Sequence, residues 1–90
     1  PPRGLKEEMT KAIVKKAPKR IAGMKVREVR AYDGVKFILG PSCIIGGEAW
    51  LLLRPSGTEP LVRIYAEANS PVKVREMLKA GKQMIGRRQA

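Results

Sequence analysis

Apolar residues recur at three- and four-residue steps near both ends of the chain and at two-residue steps between them. Leu5, Met9, Ala12, Ile13 and Ala17 form the first stripe, which predicts an amphipathic helix over residues 5–17. Glu7 and Glu8 are expected in its first turn and Lys15 and Lys16 in its last, an order that suits the helix dipole. Glu7 and Lys11 make a favourable pair one turn apart, and Pro18 ends the pattern. The last stripe runs through Val74, Met77, Leu78, Gly81, Met84 and Ile85. Ser70-Pro71 opens it as cap and first helical residue, and Gly86 is its expected stop.

The middle of the chain predicts four strands. Residues 25–31 alternate imperfectly, whereas Val35, Phe37 and Leu39 share one face. Asp33-Gly34 between them is a two-residue hairpin signal. Residues 40–47 hold three glycines and a proline and read as an irregular loop, with a possible short extension through Ile44 and Ile45. Residues 50–54 and 61–68 are the third and fourth strands. In the last, Val62, Ile64, Ala66 and Ala68 point one way and Arg63, Tyr65 and Glu67 the other. The expected order is α-β-β-β-β-α. Hairpin-length links favour antiparallel pairing, and two helices with one apolar stripe each must cover the same sheet face. The fold class is therefore a two-layer α+β domain, an antiparallel four-stranded sheet with two helices on one face. Residues 1–90 are read as one domain, with 1–4 and 87–90 as flexible ends.

Composition changes this picture in one respect. Hydrophobic residues make up 43% of the 90, enough for a modest core. Nineteen Lys and Arg against eight acids, however, leave a net charge of +11, which implies an anionic partner. Nucleic acid, a membrane surface or a phosphorylated small molecule would each satisfy it. The chain has no histidine, so it lacks the usual general base and the commonest metal ligand. Its single cysteine, Cys43, excludes an internal disulfide and reads as a small hydrophobe. No apolar run approaches the ~20 residues of a membrane span, and no signal peptide opens the chain. A cytoplasmic location is expected. A start at Pro1-Pro2, without Met, reads as a piece of a longer protein.

The candidate chemistry lies between the two strongest strands, in Arg54-Pro55-Ser56-Gly57-Thr58-Glu59-Pro60. A phosphate dianion needs several donors converging on one point. Arg54 offers a planar fork that matches phosphate oxygens bidentately. Ser56 and Thr58 offer hydroxyls, and Gly57 lets its own N–H and that of Thr58 approach as an anion nest. Pro55 and Pro60 restrict the segment before anything binds. Arg63 can return to the same point from the next strand. Glu59 opposes a phosphate and is expected to point outward or to orient a neighbouring cation. The same residues also compose an ordinary Gly/Pro turn, so the segment alone leaves both readings open.

The run from Trp50 to Ala68, WLLLRPSGTEPLVRIYAEA, resembles the C-terminal domain of the α-D-phosphohexomutases, of the phosphoglucomutase/phosphomannomutase type. The Asp-Gly-Val-Lys-Phe hairpin before it and the Ser-Pro-opened helix after it are similar to that domain as well. The resemblance implies a four-domain isomerase that interconverts hexose 1-phosphate and hexose 6-phosphate through a bisphosphate intermediate. A phosphoserine, a Mg²⁺ loop and a sugar-reading loop belong to the other three domains. The fourth domain grips the phosphate that is not being transferred. It implies that Arg54, Ser56, Gly57, Thr58 and Arg63 are the phosphate ligands, that this chain holds no catalytic residue and no metal, and that it is inactive alone. It also implies a sheet like that of the TATA-binding protein. Arg54-Pro55, rather than Arg-Lys, is more similar to the glucose/mannose enzymes than to the bacterial glucosamine ones. Residues 40–47 look longer and more apolar than the turn expected there.

The rival reading is a basic nucleic-acid-binding module with such a sheet. Lys15, Lys16, Lys19 and Arg20 form a basic cluster that suits it. Only Tyr32, Phe37, Trp50 and Tyr65 are aromatic, however, and no RNA-binding or helix-turn-helix signature appears, so nucleic acid is not the expected partner. Trp50 and Phe37 are expected in the core, and the cluster reads as a solvated helix end.

Overall fold

The computed structural model describes residues 2–40, 49–55 and 61–89, the side chains of 2–6 and 86–89 excepted. The first helix, α1, spans Pro2–Lys15, and five strands follow: β1 (Arg20–Ile21), β2 (Met24–Arg30), β3 (Val35–Leu39), β4 (Ala49–Pro55) and β5 (Val62–Glu67). The second helix, α2, spans Pro71–Gln89. The strands form one antiparallel sheet in chain order, β1-β2-β3-β4-β5. The α+β class and the antiparallel meander agree with expectation. The strand count does not: β1 is a fifth strand. Two residues are too few to show a period, and its turn carries Ala22 at φ 53 beside Gly23 at φ 77, a conformation alanine rarely adopts.

Alternation decides what the sheet buries. Val35, Phe37 and Leu39 of β3 and Leu51 and Leu53 of β4 face Ile13 of α1 and Met77 and Ile85 of α2 in one cluster, with Val62, Ile64 and Ala66 of β5 packed at its side. Both helices therefore cover the same face. The imperfect alternation of β2 has a physical cause. A bulge between Val26 and Glu28 leaves Arg27 and Glu28 exposed in succession, while Val26 and Val29 both reach the core. Helix α2 approaches the sheet most closely at Gly81, where an added Cβ would lie 3.0 Å from Ile64 and 3.1 Å from Leu53. The small residue sets the helix–sheet distance there.

The helix ends differ from the periodicity. Helix α1 begins at Pro2, so Glu7 and Glu8 lie beyond its first turn. It ends at Lys15, after which Ala17 N–H donates to Val14 C=O at 3.2 Å and tightens the chain before Pro18. At the start of α2 the Ser70 cap forms as expected, with Lys73 N–H donating to Ser70 Oγ at 3.4 Å. Helix α2 then continues through Gly86 to Gln89. A lone glycine weakens a helix by about 1 kcal/mol, and that is not enough to stop one. The expected loop at 40–47 lies outside the described residues except for Gly40, whose N–H donates to Lys25 C=O at 2.7 Å. Cys43 is outside them too. Among the described residues, no helix is long and apolar enough to cross a membrane.

Candidate functional site

The helix-free face of the sheet carries the side chains that alternate with the core. Across it run three cross-strand rows: Glu28, Ile38, Trp50 and Glu67; Arg30, Lys36, Leu52 and Tyr65; and, at the end, Arg54 and Arg63. Trp50 was expected in the core; it stands partly buried on the face opposite the helices, outside the main cluster. The Lys36 ammonium lies over its indole, with Nζ 4.7 Å from the ring centroid. Phe37 is in the core as expected, with no exposed surface. Glu28 is bound by Arg30, whose Nε donates to Glu28 Oε2 at 2.6 Å. That hydrogen bond holds the Glu28 carboxyl below its ordinary pKa.

The end row is the candidate site. Strand β4 runs on through Arg54 to Pro55, so the predicted phosphate-gripping segment starts within a strand. Pro55 is fully buried on the core face and pairs with Val62, which fixes the base of the hairpin. One step in from that base, Arg54 is the direct cross-strand partner of Arg63. Both are exposed on the helix-free face. Two guanidinium-bearing residues opposite one another repel, and such pairs ordinarily cost a sheet a few tenths of a kcal/mol or more. Ser56, Gly57 and Thr58, with Glu59 and Pro60, lie outside the described residues. The structure therefore brings together the two predicted arginines, one on each strand of the β4–β5 pair.

A third side chain enters from the neighbouring turn. Asp33 Oδ2 lies 3.0 Å from Arg54 Nη2, with both side chains about half exposed at 49% and 50%. The turn reaches that far because of its backbone. The link spans residues 31–34, longer than the two-residue hairpin the Asp-Gly pair predicted, with Asp33 at φ 52 and Gly34 at φ 121. Gly34 presses against β4: an added Cβ would stand 2.9 Å from Leu53 C=O and 3.2 Å from Arg54 Cα. Strain in φ and a backbone clash then act together, and Gly34→Ala is expected to cost about 2–4 kcal/mol. A urea unfolding midpoint equal to that of the parent sequence would contradict this packing. Asp33 is the neighbour of the candidate site that sequence reasoning did not name. Its signal was present, but as a turn residue before glycine it was already accounted for.

The basic cluster is dispersed over two elements and their link. Lys15 ends α1, Lys16 and Lys19 lie on the way to β1, and Arg20 pairs with Lys25 across the first hairpin. Arg20 Nη2 donates to Gly23 C=O, and Lys73 Nζ of α2 donates to Ala22 C=O, each at 3.1 Å. A shallow groove of about 450 Å³ lies beside this turn, lined in part by Lys73, Glu76 and Lys79. Among the described residues, no three acidic, cysteine or histidine side chains converge as metal ligands.

Known proteins bear on this arrangement. The family described as "Phosphoglucomutase/phosphomannomutase, C-terminal domain" matches residues 9–80. A phosphoglucomutase/phosphomannomutase of Thermococcus kodakarensis is 40% identical over 75 residues, 83% of this chain and 15% of its own length. A phosphoglucosamine mutase of Methanococcus aeolicus is 38% identical over 58 residues, 64% of this chain and 11% of its own. A probable phosphoglucosamine mutase of Pyrococcus furiosus is 31% identical over 84 residues, 93% of this chain and 16% of its own. The chain thus spans only about a sixth of the length of these relatives or less. The match takes in the sheet, the paired arginines and the first half of α2, and this chain belongs to the phosphoglucomutase/phosphomannomutase C-terminal domain family.

Proposed function

We propose that this chain is the substrate-phosphate-binding domain of a phosphohexomutase that interconverts hexose 1-phosphate and hexose 6-phosphate. The observation that carries the reading is the opposition of Arg54 and Arg63 at the hairpin mouth. Two exposed cations facing each other across a strand pair are unfavourable when empty, and a dianion between them reverses the sign of the interaction. Ser56, Gly57 and Thr58, in the segment the two arginines bracket, supply the hydroxyl and backbone donors of the same grip. The domain holds the phosphate that is not being transferred. It recognises a phosphate, not a sugar, so one grip serves an ester at either end of the hexose as the bisphosphate intermediate turns over.

In this reading the chain binds and orients but contributes no reacting group. The phosphoryl-carrying serine, the Mg²⁺ and the sugar-reading contacts come from three other domains of a cytoplasmic parent enzyme. An isolated domain therefore binds weakly and has no mutase activity. Titration of the ¹⁵N-labelled chain with glucose 1-phosphate tests this. The amides of Gly57, Thr58 and Arg63 are expected to shift in a saturable way. Shifts confined to the Lys15–Arg20 cluster, or salt-sensitive shifts with DNA and none with the sugar phosphate, would replace the reading with the nucleic-acid one.

A further inference from the structure

We infer that Asp33 is a positioning residue for phosphate binding: it holds the Arg54 guanidinium at the hairpin mouth and sets which of its donors face the anion. The inference rests on the phosphate grip proposed above. Three observations carry it. The Asp33 carboxylate stands 3.0 Å from Arg54 Nη2, so one side of the guanidinium is engaged from the β2–β3 turn. The turn is built to reach that point, since Asp33 adopts φ 52 and Gly34, at φ 121, lies against Leu53 C=O and Arg54 Cα. Arg54, finally, faces Arg63 directly across the strand pair, where two like charges repel.

The geometry assigns a division of donors. A guanidinium has five N–H groups in a fixed fork, and a carboxylate that takes one edge leaves the others for a second anion. Holding the fork in place lowers the rotamer entropy that binding must remove. The carboxylate also offsets part of the Arg54–Arg63 repulsion while the site is empty. Asp33 touches neither the substrate nor the reacting atoms in this assignment and acts through Arg54.

The test is a double-mutant cycle in the full-length mutase carrying this domain. Asp33→Asn is the informative change, because asparagine tolerates a positive φ and leaves the turn intact. With glucose 1-phosphate, D33N is expected to raise KM about three- to fivefold, the range of a half-exposed ion pair. The change in kcat is expected to be smaller, and the thermal midpoint is expected to fall by no more than the few degrees that a surface ion pair is worth. In an Arg54→Ala background D33N should have no further effect. If R54A itself leaves kcat/KM untouched, the phosphate grip fails, and Asp33 with it. If R54A is impaired but D33N is silent, or acts equally in both backgrounds, the grip stands and the role of Asp33 is overturned.

Discussion

Replacing Arg54 by alanine in the full-length enzyme is expected to lower kcat/KM for hexose phosphate by about 2–5 kcal/mol, roughly thirtyfold at the least. The magnitude follows from the chemistry of the partner. In the proposed grip, a phosphate dianion enclosed by the other domains would lose its water, and a missing bidentate donor would then leave charge unpaired. The same substitution should hardly change stability. Arg54 is half exposed, its ion pair with Asp33 is a surface pair, and such pairs contribute about 0–1 kcal/mol. Arg54→Lys should recover only part of the activity, because an ammonium retains the charge without the fork. Steady-state kinetics beside a denaturation curve separate the two effects. An unchanged kcat/KM would remove Arg54 from the site.

Phe37→Ala should do the reverse. Phe37 lies at the centre of β3, between Val29 and Leu51 in register, and shows no exposed surface. Truncating a buried phenylalanine costs about 3–5 kcal/mol through lost burial and the cavity left behind. A domain of this size has about 5–13 kcal/mol in total, so much of the stability disappears. Trp50 reports the transition by fluorescence. It is the only tryptophan and lies on the opposite face of the sheet, so its signal follows global unfolding and not the local cavity. The urea midpoint is expected to fall sharply with little change in slope. A midpoint shift worth less than about 1 kcal/mol would mean that the helices close over the gap.

Much of this was legible in the chain because burial enforces periodicity. The strict alternation of residues 62–67 and the apolar stripe of α2 follow from one buried face each, and both lie where the pattern predicts. The exceptions have separate causes. Strand β1 has two residues and no period to read. The bulge in β2 breaks alternation at one point, which makes a regular strand look irregular. Trp50 looks like a core residue because size and apolarity predict burial, but not which side of the sheet provides it. At the site, Arg54 and Arg63 were legible because strand parity and hairpin register place residues that flank a turn. Asp33 was not, since its contact joins two different hairpins and depends on the angle of a turn held by positive φ at two residues.

The chain-order sheet has a kinetic consequence. Each strand pairs with the one before it, across links at 22–23, 31–34, 40–48 and 56–61. Closing such short loops removes little chain entropy, so the sheet can grow by one hairpin at a time without waiting for a distant segment. The helices are joined to the sheet less locally, and one such contact is the clasp from Lys73 to Ala22, 51 residues apart, by which α2 reaches back to the first hairpin. Such a contact gains nothing until the strands between are in place. The clasp is therefore expected to form late, so that Lys73→Ala should speed unfolding more than it slows folding.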